Sequence, residues 1–480
     1  MGSGGGGGGG NNPPPPPTEN VVISKTANGP FGEAMSTSFQ PAEWDYQFFQ
    51  QNPSATTPLG NLDAQHIRLQ GVSEGVPQTT ASTWDFTVLD AITQPVLSVG
   101  DHSPEFQIAV APSFMYDSNH NFLDTTYGDF TTYAENLVRY YNVAGGFTDT
   151  DGTQHVSPSG TPITWWGIYN EPNFNNLNST QYTNLYNAVV PALQAVDPSI
   201  KYAAVELGDY SGLANQYLPA FVSGVTAHVD VLATHFYSTC NQSDDDTKIF
   251  STVPGFATEV GAIYTQLQTN PALTAVPVWV TENNVNADFE GANGMSTCNP
   301  GQKFVTDVRG SSPFFAAWRP YVFSQLGKAG VQALYHWDFA ADQQYGEVDG
   351  NTAALQLSYW VDYWLARKFP SPPGGTLLQF TSSDDAEIET LPVANPDGSV
   401  VIMVANHAVN TPSTDNNGPG TARDVALDVS ALGTFSSASL LTIDKTTSVA
   451  NGPSATTVTP SAQITISLDG YSVAFLTLTP

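Results

Sequence analysis

The chain has 480 residues, enough for a large domain and a smaller companion. Acidic residues outnumber basic ones 44 to 13, for a formal net charge of −31. That balance argues against nucleic acid or an anionic membrane as a partner, since both require basic patches, and suits a secreted or surface-displayed protein.

Residues 1–19 hold a glycine tract and a run of prolines and read as a disordered, low-complexity linker, stiffer where the prolines lie. The glycines match a phosphate-cradling pattern only trivially, because no strand precedes them. The stretch looks like the tether of an exported protein, with Met1 standing where a bacterial lipoprotein would carry its anchoring cysteine. Residues 20–372 then alternate apolar, strand-like runs with helical spacing. Strands are expected at Ala34–Phe39, His66–Leu69, Phe106–Ala111, Thr164–Tyr169, Tyr202–Glu206, Val229–His235, Val276–Thr281 and Val331–Trp337. Helices are expected at Trp84–Thr93, Tyr127–Tyr141, Gln181–Val196, Val260–Gln268 and Phe314–Ala329. Eight such alternations predict an α/β fold, a (β/α)8 TIM barrel. Residues 373–480 change character: short β-type runs separated by Gly, Pro and Asn turns predict a C-terminal antiparallel β-sandwich, read as a packing module. No apolar run approaches the roughly 20 residues that span a bilayer as a helix.

Two strand ends carry the chemistry. The fourth strand runs Trp165-Trp166-Gly167-Ile168-Tyr169 and stops at Asn170-Glu171-Pro172; the seventh runs Val278-Trp279-Val280-Thr281 and stops at Glu282-Asn283-Asn284. A carboxylate at the end of an apolar strand is costly unless it is paired or used. In a barrel of this type both glutamates reach the C-terminal face, where such folds place their sites. A pair of carboxyl groups there is what glycosidic bond cleavage needs, one as proton donor and the other as nucleophile or base. Arg68 in the second strand, His235 and Tyr237 ending the sixth, and Trp337 ending the eighth add polar and aromatic groups on the same face. Read singly, Arg68 also fits a buried ion pair, and His235 a satisfied core histidine.

The two cysteines, Cys240 and Cys298, fall in polar loops and offer neither a CxxC nor a four-ligand zinc site. A single disulfide in an oxidising compartment is the preferred reading, with two free thiols as the alternative. Asp244-Asp245-Asp246 reads as a solvated loop rather than a calcium site, and Asp149-Thr150-Asp151-Gly152 as a turn.

With Gly-Ile-Tyr-Asn-Glu-Pro-Asn at the fourth strand and Val-Trp-Val-Thr-Glu-Asn at the seventh, the chain resembles the clan A retaining glycoside hydrolases. A barrel followed by a β-sandwich looks most like glycoside hydrolase family 39, which contains β-xylosidases and α-L-iduronidases. Families 5, 30, 51 and 79 share the same barrel logic. The resemblance implies Glu171 as acid/base, Glu282 as nucleophile, and Asn170 on the sugar 2-hydroxyl. It places Arg68 and Tyr237 beside Glu282, His235 as an orienting group, and Trp337 as an apolar face for the ring. Trp166 is expected to desolvate Glu171. Cys240 and Cys298 would then bridge two loops at the pocket rim. The implied substrate is a glycoside, oligosaccharide or polysaccharide, cleaved with no metal or organic cofactor. A β-D-xyloside is the first guess, an endo-acting polysaccharide hydrolase the alternative, and a non-catalytic carbohydrate-binding protein the reading outside enzymes.

Overall fold

The computed structural model describes residues 18–40, 46–70, 75–100, 103–208, 216–370, 374–383 and 386–480. Strand β1 (Thr18–Pro30) comes first, then eight strands built from short β-branched and aromatic runs: β2 (Ala34–Phe39), β3 (Ile67–Leu69), β4 (Glu105–Ile108), β5 (Trp165–Ile168), β6 (Lys201–Leu207), β7 (Val231–Thr239), β8 (Val278–Asn286) and β9 (Ala333–His336). Strands β2 to β9 pair in parallel with each neighbour, and β9 closes on β2 to complete the barrel. Parallel neighbours require a crossover, and a helix supplies it. In chain order these are α1 (Thr56–Leu62), α2 (Thr87–Ser98), α3 (Gly128–Asn142), α4 (Ser179–Val196), α5 (Leu218–Gly224), α6 (Asp246–Leu267), α7 (Pro313–Ala329) and α8 (Leu357–Lys368). Sequence spacing locates the centres of four, α2, α3, α4 and α7. It missed α1, α5 and α8, and only the last part of α6 was expected. Pro254, inside α6, breaks the periodicity that marks a helix.

Alternation along the strands sorts side chains between two cores. Trp165, Ala203, Val231, Ala233, Trp279, Ala333 and Tyr335 point inward and plug the lower barrel. Their neighbours Trp166, Ala204, Leu232, Val280 and Leu334 point outward into the helix layer. His66 caps the plug, its ring 4.4 Å from that of Trp279. Burial lowers the His66 pKa to about 4, so the ring packs as a neutral group.

The C-terminal strands are β10 (Thr376–Ser382), β11 (Ile388–Ala394), β12 (Val400–Asn406), β13 (Arg423–Asp428), β14 (Ser437–Ile443), β15 (Thr456–Val458), β16 (Gln463–Leu468) and β17 (Ser472–Thr479). With β1 they form one nine-stranded sheet. One face folds over a core that includes Val21, Ile23, Ile402, Leu427, Ile466 and Leu476, which makes the sandwich. On the other face Met403 and Phe475 join the barrel's own core. The reading of residues 18–30 needs correction. β1 lies antiparallel to β10 and parallel to β13, so the chain starts in the C-terminal sheet before it enters the barrel. Residues 1–17 of the expected linker lie outside the described residues.

Asp246 also departs from expectation. It is fully buried, not solvated. Arg309 approaches it at 3.4 Å, Asn417 and Gly418 donate backbone N–H groups at 2.8 Å each, and the Tyr471 hydroxyl donates at 2.9 Å. Asp245 caps α6 and Asp244 pairs with Lys248. The aspartate run therefore bolts the barrel to the sandwich. Asp149 behaves as read, accepting from Asp151 and Thr153 in a turn. Arg309 would keep its pair with Asp307, but the N–H groups of Asn417 and Gly418 and the Tyr471 hydroxyl would lose their acceptor, so Asp246→Ala should cost about 1–3 kcal/mol. Urea unfolding should show it, with the larger loss in the sandwich transition if the two domains unfold separately.

Candidate active site

Three glutamates break the in–out alternation of their strands. After β5 the chain turns through Tyr169 at φ +67° and Glu171 at φ +43°. In β6 the pairing register slips between Ala204 and Leu207, where Val205 has φ +81° and Glu206 φ +47°. In β8 it slips between Val280 and Glu282, so Thr281 and Glu282 both face the barrel axis. Such bulges re-aim a side chain at a cost in pairing, and they cluster at functional sites. The Glu171 N–H donates to the Glu206 carbonyl at 3.0 Å, tying two of these breaks together. Gly208 leaves room for them: a Cβ there would lie 2.3 Å from Glu171 Oε1 and 2.6 Å from the Phe174 ring.

Arg68 sits at the centre with no solvent exposure. Its Nη1 donates to Glu282 Oε1 at 2.9 Å and also to Gln70. Its Nη2 donates to Asn170 Oδ1 at 2.8 Å and to Glu206 Oε2 at 3.4 Å. Burial opposes the guanidinium charge, but Glu206, Glu282 and Glu105 outweigh it and hold the proton on. Because Arg68 can only donate, Asn170 must present its oxygen there and aim its amide nitrogen away. Tyr237 donates to Glu282 Oε2 at 3.0 Å, so each oxygen of Glu282 accepts a hydrogen bond.

His235 joins the acids. Its Nδ1 lies 2.9 Å from Glu171 Oε1 and 3.4 Å from Glu282 Oε2, and its Nε2 lies 3.3 Å from Glu206 Oε2. Burial alone would lower its pKa, but the Glu282 charge and the bonds to Glu171 and Glu206 raise it to about 10. The ring is therefore an imidazolium at neutral pH. Glu206 has the opposite balance: burial pushes its pKa up, but Arg68 and His235 bring it below the usual range. Beneath it, burial and the Glu206 charge raise Glu105 to about 8, so that carboxyl is protonated at pH 7.

Asn170, Glu171, His235, Tyr237 and Glu282 floor a cavity of about 560 Å³, lined also by Gln40, Gln70, Phe174, Phe289, Trp337 and Tyr345. Trp337 donates its indole N–H to Gln40 Oε1 at 2.9 Å and meets Tyr345 edge-on at 4.7 Å. Phe174 and Phe289 stand exposed at the rim. Asn283 and Asn284, which follow Glu282, donate to the carbonyls of Phe236 and Trp337 at 2.6 and 2.7 Å and brace the neighbouring strand ends. Cys240 and Cys298 are joined as a disulfide, linking the loops after β7 and β8 at the rim.

The structure thus brings Arg68, Asn170, Glu171, His235, Tyr237, Glu282 and Trp337 to one end of the barrel. Trp166 does not join them; alternation sends it outward, packed on Phe106. The group that touches Glu171 is His235. Sequence reading missed Glu206, although Ala203-Ala204-Val205-Glu206 repeats the signal of an apolar strand ending in glutamate.

Among the described residues, two groups of side chains have the spacing of metal ligands: Glu171–His235–Glu282, and His336–Glu347–Asp362. In the second, His336 spends one nitrogen on Asp362 at 2.5 Å and the other on the Tyr345 carbonyl at 2.7 Å, and Asp362 also pairs with Arg319. In the first, Nδ1 of His235 is engaged with Glu171 at 2.9 Å and Nε2 with Glu206 at 3.3 Å.

By sequence, neither a family model nor a curated protein matches the chain. Solved structures do match in fold. A monomeric β-xylosidase from Caulobacter crescentus superposes with a TM-score of 0.65 at 16% identity, over 97% of this chain and 99% of the other. The GH39 enzyme from Xanthomonas axonopodis pv. citri gives 0.62 at 16%, over 97% of each chain. An α-L-arabinofuranosidase from Thermotoga maritima gives 0.64 at 13%, over 96% and 99%.

Closing the rim loop with a disulfide constrains the unfolded chain, so Cys240→Ser with Cys298→Ser should cost about 2–4 kcal/mol. Thermal unfolding with and without reductant reads this, and reductant should not change the double variant. At these identities the likeness is one of fold: a closed eight-stranded parallel barrel joined to a β-sandwich, over nearly the full length of these three enzymes.

Proposed function

We propose that the chain is a retaining glycoside hydrolase acting by double displacement. The observation that carries this reading is the pairing of Glu171 and Glu282, which present carboxylate oxygens within 4.8 Å of each other and of a His235 nitrogen. Retaining enzymes hold their carboxyl groups about 5–5.5 Å apart, whereas inverting ones need about 6.5–9.5 Å to seat a water. Glu282, oriented by Arg68 and Tyr237, attacks the anomeric carbon. Glu171, open to the cavity, gives its proton to the departing oxygen. Glu171 then takes a proton from water, the water oxygen bonds the anomeric carbon, and the electrons of the ester bond return to Glu282. The Asn170 amide nitrogen is left to bind a sugar hydroxyl, an interaction that strengthens as positive charge develops on the ring. Trp337 offers that ring an apolar face.

The cavity wall supports a neutral sugar. Among the described residues no lysine or arginine lines it, and Arg68 below is committed to four side chains. A uronic acid would call for a cation of its own. A β-D-xyloside or related β-glycoside, taken from the chain end, is the substrate proposed, with internal cleavage of a polysaccharide as the alternative. The disulfide supports an oxidising, extracytoplasmic location, and no helix among the described residues is long and apolar enough to cross a membrane.

A panel of aryl β-glycosides tests the reading. Glu282→Gln should abolish hydrolysis of whichever member the wild type cleaves. Glu171→Ala should lose about 10²–10⁴-fold on 4-nitrophenyl substrates. It should lose much less on dinitrophenyl ones, which leave without a proton, and azide should restore turnover with a β-glycosyl azide as product. Unchanged rates in both variants would place the chemistry elsewhere, and binding without turnover by the wild type would favour a carbohydrate-binding protein.

A further inference from the structure

Glu206 has no counterpart in the two-carboxylate mechanism, yet the fold goes to some trouble to place it. It is fully buried and does not line the cavity, so it cannot touch a substrate. The backbone that carries it is strained at two successive residues, one of them β-branched Val205, in a region that bulky residues avoid. An apolar residue in regular alternation would have filled the barrel more cheaply. Instead one oxygen, Oε2, gathers Arg68 Nη2 at 3.4 Å, Thr281 Oγ1 at 2.5 Å and His235 Nε2 at 3.3 Å.

The last contact decides how His235 can act. A carboxylate only accepts, so Nε2 must carry a hydrogen, and the second ring nitrogen is turned towards Glu171 and Glu282. We propose that Glu206 is a positioning residue for the reaction proposed above: it locks the His235 ring so that one N–H stands between the acid/base and the nucleophile and serves each in turn. In the free enzyme Glu282 is the anion and Glu171 carries its proton. Once the glycosyl ester forms, Glu282 is neutral and Glu171, having protonated the leaving oxygen, is the anion. The Nδ1–H is 3.4 Å from the first and 2.9 Å from the second, so the negative charge moves across a fixed cation while the cation keeps its proton. With Arg68 and Glu206 constant, the buried charge stays the same in both states. The other groups facing this pair are Glu105 from β4, Tyr335 from β9 and Tyr182 from α4; the first is protonated at neutral pH and the other two are phenols.

The inference rests on the hydrolase reading, so its test has one arm that needs no turnover. In ¹⁵N-histidine NMR, the His235 signals, assigned by their loss in His235→Gln, should stay those of an imidazolium up to pH 8.5 in the wild type. In Glu206→Gln, which keeps the size but removes the charge, the midpoint should fall by at least about one pH unit. In the kinetic arm, kcat/KM for a 4-nitrophenyl glycoside should drop roughly 10- to 100-fold, with its alkaline limb displaced to lower pH and kcat affected more than KM. If Glu206→Gln does not fold by circular dichroism, Thr281→Val, which removes only one anchor of Oε2, should move both readouts in the same direction by less. An unchanged His235 midpoint overturns the proposal, as does a rate loss with no movement of the pH profile. A wild type that hydrolyses nothing in the panel overturns the hydrolase reading instead, and the NMR arm still decides whether Glu206 holds His235.

Discussion

The site depends on one buried cation. A guanidinium sealed inside a barrel is several kcal/mol out of place unless it is paired, and both terminal nitrogens of Arg68 are paired, with Glu282, Glu206, Asn170 and Gln70. The partners come from four different segments of the barrel, on or just after β3, β5, β6 and β8, so the closing of the barrel assembles the site. His235 is the second cation and answers the same acids from the other side. Of the three glutamates, Glu171 is the most open to the cavity.

Regular strands could not have produced this arrangement. Alternation puts every second residue on the barrel axis, and neighbouring strands in register stack them in layers. The lower barrel obeys, with Trp165, Ala203, Ala233 and Trp279 in the plug. Above it the chain slips at Val205–Glu206 and Thr281–Glu282 and turns at Tyr169–Glu171. Each break brings an acid inward that would otherwise have missed its partners. The hydrogen bonds of Asn283 and Asn284 to neighbouring carbonyls hold the disturbed strand ends in place.

Much of this was legible in the chain, because short apolar runs ending in Asn-Glu-Pro or Thr-Glu-Asn mark both a strand and its polar terminus. The eight barrel strands fall where periodicity put them, and Ala34–Phe39 matches end to end. What escaped reading depends on distant partners. Thr18–Pro30 reads as the end of a linker running into the barrel, because its pairing strands lie some 350 to 400 residues on. Asp246 reads as solvated because Arg309, Asn417 and Tyr471 are far away in sequence. Trp166 was assigned to Glu171 by proximity in sequence, where alternation pointed it the other way. Glu206 carried the same local signal as Glu171 and Glu282, but only the three-dimensional contacts single it out.

The central claim is that Glu282 forms a covalent bond to the sugar while Arg68, Tyr237 and His235 hold it in place. The most direct measurement is mass spectrometry of the protein after exposure to 2-deoxy-2-fluoro-β-glycosyl fluorides of the xylo and gluco series, followed by peptide mapping. The account predicts the addition of one fluorosugar, carried by the peptide that contains Glu282 and released on incubation with an acceptor alcohol. A label on Glu171 or elsewhere, or hydrolysis of these fluorides with no trapped adduct and with inverted configuration, would contradict it.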